Sequence, residues 1–284
     1  MPNLCDPAYL KELLKRHGFS TTKSLGQNFL IDPSVPSRMA GISGACEDCG
    51  VIEIGPGVGT MSAELAARAG RLVAVELDRR LEPILAETLA EFDNIEIVFG
   101  DVLKTDLKKL AEERLGGLRL FACANLPYYI TTKAVMHLLE PGIFEAVTVM
   151  VQREAAERFC AQPGDKDYVA ATAKARFLAK AEICFDIPPS AFLPNPHVRS
   201  SALKFSRRED MPRADQELVF KIIDAAFSSR RKTLLNTLSA GLAIGRDEVG
   251  DILKIAGVEA GVRGETLSVE EFCRIAAAIR QKKQ

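Results

Sequence analysis

The chain has 284 residues, 47% hydrophobic and 26% charged, a globular composition that excludes disorder and collagen-like repeats. No apolar run reaches the ~18–20 residues of a membrane span, and Asp6, Lys11, Glu12, Lys15 and Arg16 break up any signal-peptide core, so a cytoplasmic protein is expected. With 37 Lys+Arg against 38 Asp+Glu the net charge is −1, so any nucleic-acid binding has to come from local basic clusters.

From residue 49 to about 187 short β-branched runs alternate with helical periods. The pattern predicts a strand over 51–54, a helix over 61–69, a strand over 72–77 and a helix over 79–92. Strands over 95–99 and 118–124, a helix over 131–139 and a strand over 146–151 follow. Residues 154–160 and 169–177 read as helical, and 181–185 and 202–205 as strands. Such alternation specifies parallel βαβ units in an open, doubly wound sheet. The last two runs have only a proline-rich loop between them, too short for a crossover helix, so an antiparallel edge is expected. Beyond the polar stretch from Arg207 to Pro212 the pattern is helical only: 216–227, 232–242, 247–255 and 269–280, the last with Ser268 as N-cap. The expected domains are 1–207, an α/β sheet domain with an N-terminal helical segment, and 208–284, a smaller all-α domain.

The sharpest local signal is Glu53-Ile54-Gly55-Pro56-Gly57-Val58-Gly59, at the end of the first strand of the alternating region. Glycines there let the backbone turn tightly and approach a ligand at the start of the next helix, although a bare tight turn has the same spelling. Glu76, 21 residues beyond Gly55, ends the next strand, where a carboxylate can accept both hydroxyls of a ribose. Asp101 follows the third strand at the same edge. A nicotinamide dehydrogenase would share this geometry. The G-x-G-x-G spacing with an acid beside it suits instead a cationic ligand such as the sulfonium and amino group of S-adenosylmethionine.

Asn125-Leu126-Pro127-Tyr128 follows the fourth strand. An amide oxygen and a backbone carbonyl presented by the proline are two acceptors for an exocyclic amine. Directing both N–H bonds at acceptors draws the nitrogen towards sp³ and frees its lone pair. Tyr128 can stack on a flat base and favour the positive charge that develops.

With these motifs in place the chain resembles the small-subunit ribosomal RNA adenine dimethyltransferases. Gln27-Asn28-Phe29-Leu30 resembles their N-terminal segment over the cofactor, and Met150–Glu154 their fifth-strand motif. Phe192-Leu193-Pro194-Asn195-Pro196 resembles their F-x-P-x-P loop, and the segment from Phe227 to Asn236, with Arg230-Arg231-Lys232, their basic helical motif. Arg263–Ser268 resembles their C-terminal signature. Lys133, Val169 and His197 depart from the pattern.

The resemblance implies a Rossmann-like methyltransferase that transfers methyl groups from S-adenosylmethionine to N6 of two adjacent adenosines in the 3′-terminal hairpin of 16S rRNA, dimethylating each. It implies a monomer acting on an immature 30S subunit. Gln27, Asn28 and Leu30 would cover the cofactor, Gly55 and Gly57 lie under its methionine part, Glu76 hold the ribose and Asp101 the adenine amine, with Asn125 between cofactor and target. Asn125, Leu126, Pro127 and Tyr128 would hold the target amine, Phe192 and Tyr128 sandwich the base, and Arg230, Arg231 and Lys232 contact RNA phosphates. The alternatives are a large-subunit rRNA adenine methyltransferase of the resistance type and a mainly non-catalytic ribosome-assembly factor. No metal is expected, since Cys46-x-x-Cys49 has no second ligand pair, and the seven cysteines read as reduced thiols.

Overall fold

The structure, a computed structural model, describes residues 3–22, 26–208, 210 and 214–283. Glu209, Met211 and Pro212 of the expected boundary stretch lie outside the described residues. Helix α1 (Pro7–Arg16) opens at Asp6, whose carboxylate accepts from the Ala8 amide, with proline at the first helical position. Strand β1 (Phe29–Leu30) and helix α2 (Ser34–Ser43) lead into the alternating region. There β2 (Cys49–Ile54), α3 (Thr60–Ala66), β3 (Arg71–Glu76), α4 (Glu82–Thr88) and β4 (Ile95–Phe99) form its first half. The second half is α5 (Leu107–Leu115), β5 (Arg119–Asn125), α6 (Thr131–Leu139) and β6 (Ala146–Gln152). Helices α7 (Arg153–Cys160) and α8 (Ala170–Leu178) precede β7 (Ala179–Ile187), β8 (Phe192–Leu193) and β9 (Ser200–Arg207). The remainder is α9 (Gln216–Phe227), α10 (Leu234–Leu242), α11 (Arg246–Ala256) and α12 (Val269–Lys283).

Seven strands form one sheet in the order β4-β3-β2-β5-β6-β9-β7, a mostly parallel, Rossmann-like arrangement. β2 pairs in parallel with both β3 and β5, and β9 runs antiparallel to β6. All six residues of β2 are buried, so this strand reads as a continuous apolar run interrupted only by Glu53. The chain moves outward from β2 through β3 to β4, then returns to the other side of β2 as β5. Strand order reverses there, and open α/β sheets bind ligands beyond the carboxyl ends of the strands at such a point. Helix α5 was not among the predicted elements. Its signals are the Asp106 side chain capping the Lys109 amide and buried Leu107, Leu110, Ala111 and Leu115 on one face.

The two compact units do not follow the expected division into 1–207 and 208–284. One comprises Met1–Ala156 and Ala181–Arg207; the other comprises Glu157–Lys180 together with Arg208–Gln284. Aromatic packing explains why the inserted segment joins the helical unit. Tyr168 lies 5.7 Å from Phe227, Phe227 lies 6.3 Å from Phe272, and Phe177 lies 5.9 Å from Phe220. The buried Tyr168 hydroxyl donates to the Leu267 carbonyl at 3.0 Å, and Lys174 pairs with Asp224. Helix α12 begins with a reciprocal cap: Glu271 N–H donates to Ser268 Oγ, and Ser268 N–H donates to the Glu271 carboxylate.

The same packing gives the Arg263–Ser268 signature a structural meaning. A Cβ on Gly264 would lie 2.5 Å from the Ala226 carbonyl oxygen on α9, so only glycine allows this approach. Gly264→Ala should therefore lower stability by about 1–3 kcal/mol in denaturant unfolding. Gly250→Ala is the control: it lies within α11 with open space around its Cβ position, and it should stabilise by about 0.5–1 kcal/mol.

Candidate functional site

At the reversal point β2 runs into Gly55 and Gly57, with φ of +70° and +60°, a backbone region in which a side chain would be strained. A Cβ on Gly57 would also meet the Phe29 ring at 3.3 Å. The loop is held from β3, where the Val75 carbonyl accepts from the Gly55 amide at 3.0 Å. The space in front of it is a cavity of roughly 960 Å³, counted out to open solvent. Its walls come from the glycine loop, the ends of β3 and β4, the N-terminal segment Gly26–Leu30 and the turn after β5.

Two of the three strand-end acids line it. Glu76 is 6% exposed; one carboxylate oxygen accepts from the Gly57 amide at 3.3 Å and the other from the Asp78 amide at 2.8 Å. Burial raises its pKa, against the pull of these amides. Asp101 caps the following turn by accepting from the Leu103 amide at 3.0 Å, and stays partly exposed on the cavity wall. Glu53 is different: its side chain is fully buried and does not line the cavity. The edge thus presents two carboxylates, not three.

Gln27, Asn28 and Leu30 all line the cavity. Gln27 ties its segment down at two points, donating to Asp78 at 2.9 Å and accepting from the Thr22 amide at 2.9 Å. The Arg80 guanidinium holds the Asp78 carboxyl below the usual range, so Gln27 donates to a carboxylate. Leu30 is buried opposite Phe192 where β1 pairs antiparallel with β8.

Asn125 ends β5 across from Gly55; a Cβ there would lie 3.8 Å from the Asn125 carbonyl oxygen. Its side-chain NH₂ donates to the Asn28 carbonyl at 3.3 Å, which leaves the amide oxygen as the free acceptor. The Pro127 carbonyl accepts from the Ile130 amide at 3.2 Å and the Thr131 hydroxyl at 3.5 Å. Leu126 is buried, with its amide donating to the Met150 carbonyl. Tyr128 is half-buried, its hydroxyl 2.8 Å from Ser200 Oγ, and it does not line the cavity. The ring exposed at the rim is Tyr129, 62% accessible, which the sequence reading passed over. Its signal was a second aromatic directly after the Asn-x-Pro-Tyr run.

Phe192 needs the main correction. The ring is 2% exposed and belongs to the core of the sheet unit, packed under the β1–β8 pairing. In this arrangement it offers no face for a base to stack on. Alternation explains the error: a residue in a proline-rich loop looks exposed in sequence, but the loop supplies a short strand.

In the helical unit, Arg230, Arg231 and Lys232 are all exposed. They lie in the turn between α9 and α10, because helix begins at Leu234 and not at Lys232. Among the described residues none of the three forms an ion pair. Lys133 on α6 and His197 are exposed, Val169 precedes α8, and none lines the cavity. Among the described residues no helix is long and apolar enough to cross a membrane.

Comparison with known proteins agrees with this geometry. The sequence profile of the family described as ribosomal RNA adenine dimethylase matches residues 18–281. A protein from Shouchella clausii called ribosomal RNA small subunit methyltransferase A is 42% identical, over 98% of this chain and 96% of its own. One of the same name from Geobacillus thermodenitrificans is 41% identical, over 98% and 97%. In three dimensions a dimethyladenosine transferase from Plasmodium falciparum superposes with a TM-score of 0.75 at 20% identity, over 90% of this chain and 98% of that one. The 23S rRNA methyltransferase ErmE superposes with a TM-score of 0.67 at 27% identity, over 89% and 100%.

The position of Phe192 is directly testable. Phe192→Ala should lower stability in denaturant unfolding by about 3–5 kcal/mol, the cost of a cavity under a buried ring. A ring free to stack on RNA would cost about 0.5 kcal/mol or less, and that result would restore the original expectation.

Proposed function

The chain belongs to the ribosomal RNA adenine dimethylase family, and from that premise we propose that it uses S-adenosylmethionine to dimethylate adenine N6 in small-subunit ribosomal RNA. At finer grain, the substrate is the pair of adjacent adenosines in the 3′-terminal hairpin of 16S rRNA, met by a monomer on an immature 30S particle. The observation that carries the reading is the fixed Asn125 amide opposite the glycine loop, in the same cavity as Glu76.

The residues present fit the donor. Glycines leave room against the backbone, the buried Glu76 carboxylate retains acceptor capacity for a diol, and Asp101 can accept from an amine. Gln27, Asn28 and Leu30 form the cover. When bound, S-adenosylmethionine supplies an electrophilic methyl group on a sulfonium. The work of the chain is to position a nitrogen against it.

Asn125 Oδ1 and a backbone carbonyl of the turn after it accept the two N–H bonds of the adenine amine; the Pro127 carbonyl belongs to a residue on the cavity wall and, besides its bonds within the turn, has acceptor capacity left to offer. That geometry localises the nitrogen lone pair on the side away from the acceptors. No strong general base is required, because the N–H becomes acidic once the nitrogen is methylated. The aromatic surface available to a flipped base is Tyr129 at the rim, with Tyr128 beside it, in place of the expected Tyr128–Phe192 sandwich. Arg230, Arg231 and Lys232 contact RNA phosphates, which position RNA without reading its sequence.

Methyl transfer from labelled donor, assayed side by side on small-subunit particles and large-subunit RNA, tests the substrate. Label in small-subunit RNA alone is expected; label only in large-subunit RNA overturns the proposal. Asn125→Ala should lower the rate at saturating donor by about 10²–10³. Glu76→Ala should weaken donor binding by about 10- to 100-fold in calorimetry, the loss of charged hydrogen bonds. If that variant loses methyl transfer yet restores growth in full to cells lacking the protein, the non-catalytic assembly role is the main one.

Arg231→Ala addresses the phosphate contacts separately. It should weaken particle binding and flatten the dependence of log K on log salt by about one unit at most. Methyl transfer on particles already bound should be unchanged.

A further inference from the structure

Glu53 is a fully buried acid of the sheet unit that the proposed reaction leaves unused. Its side chain is fully buried, and neither carboxyl oxygen has a hydrogen-bond partner among the described residues. Strand register places it in a polar row. Glu53 on β2 lies beside Cys123 on β5, and Cys123 beside Thr148 on β6, so the three side chains share one face of the sheet. Helix α3 adds Ser62, while Thr60 at its start faces the cavity. The hydroxyls of Thr60, Ser62 and Thr148 are buried and, among the described residues, equally without partners.

The groups around the carboxyl decide its charge. Burial is the largest influence and pushes it up to about 8; the Ser62 hydroxyl, close to the carboxyl although outside hydrogen-bond geometry, opposes this in part, and the Glu76 carboxylate on β3 adds to it. Cys123 is held neutral by the same burial, its thiol pushed well above the ordinary range. Among the described residues, the groups that shift Glu53 are a hydroxyl and a carboxylate, with no cation beside them. Near pH 7 the group is therefore a neutral acid. An apolar side chain of similar size would fill the row as well, but only an acid can become charged.

The row borders the cavity wall. Ile54 and Gly55, the next residues along the chain, line the cavity, as do Thr60 and Met61 at the start of α3. Met61 in turn touches Cys123, its sulfur 3.6 Å from the thiol. A positive charge brought against this loop favours the ionised form of a nearby carboxyl, by 1–3 pKa units when within about 4–6 Å.

We propose that Glu53 is a proton-linked positioning residue, neutral in the free protein and ionised when a cationic methyl donor occupies the cavity. The carboxyl O–H bond breaks, its electron pair stays on oxygen, and the proton passes to the buffer. The new carboxylate faces a cation across the loop, so the loop is electrostatically complementary to the charged donor only once the donor is there. The inference rests on S-adenosylmethionine as the ligand of this cavity. Because binding releases a proton, affinity should rise with pH up to about 8, by about three- to ninefold per pH unit at its steepest for a shift of 1–3 units, and level off above.

Calorimetry of S-adenosylmethionine binding to the full chain at pH 7, in buffers of different ionisation enthalpy, counts the protons. Glu53→Gln keeps the shape of the neutral acid, so the difference between the two proteins isolates Glu53 from the donor's own amine. Wild type should release about 0.4–0.9 proton more than the variant at pH 7, the range that a lowering of 1–3 units from about 8 gives, and the variant should lose that share of the pH dependence. S-adenosylhomocysteine, without the sulfonium charge, should release less. Equal proton release in both proteins overturns the inference alone, whereas absence of donor binding overturns the cofactor assignment with it. If the variant does not fold, the carboxyl ¹³C resonance of Glu53 in the wild type decides. It should move to the ionised position when donor is added at pH 7, and an unmoved resonance overturns the inference.

Discussion

The site depends on the parallel pairing of β2 with β5, in a register that sets Ile54 beside Ala124. Side by side and pointing the same way, the two strands must release their chains at the same edge of the sheet. One leads into the glycine loop and the other into the Asn125 turn. Crossovers then carry the chain away on opposite sides, so a gap opens between the two turns that no side chain of the sheet can fill. The two ends lie one strand spacing apart, about 4.8 Å, close enough for the proposed donor and target to meet between them.

What closes that gap is remote in sequence. Residues 27–30 reach the site through three separate contacts: Gln27 to Asp78, the Asn28 carbonyl to the Asn125 amide, and Leu30 to Phe192 across a two-residue ladder. Each joins the cover to a different part of the frame, namely the end of β3, the end of β5 and the strand before β9. The Asn125 contact has a chemical consequence as well, since it determines which end of the amide can accept. The segment 27–30 and the Asn125 turn are thus one hydrogen-bonded assembly. The Phe192 ring supports it from below.

Much of the frame was legible because its signals are local. Strands 51–54, 95–99 and 146–151 are dense β-branched runs bounded by turn residues, and each is found within two residues of its expected limits. The Ser268 cap and the helix over 131–139 are also local, one a side chain bonding three residues on, the other a periodic apolar face. Helix α5 carries both kinds of signal yet is absent from the predicted elements, and α10 begins two residues after its expected start because Lys232 and Thr233 do not interrupt the apolar period. The domain division went astray for another reason. Tyr168 and Phe177 look like core residues of whatever surrounds them in sequence, and only their contacts with Phe227 and Phe220 show which core that is.

The chain by itself determined the α/β class, the order of glycine loop, Glu76, Asp101 and Asn125 along it, and the family resemblance those motifs carry. These follow from periodicity and spacing, which survive in one dimension. Only the tertiary structure decided what each side chain faces. Glu53 and Glu76 both end strands, yet one is sealed under α3 while the other opens onto the cavity. Phe192 is buried by a strand pairing with Leu30, 162 residues distant in sequence, while adjacent Tyr128 and Tyr129 divide between a bond to Ser200 and the open rim. Burial is a property of the space around a residue, and that space is built by parts of the chain which local sequence does not contain.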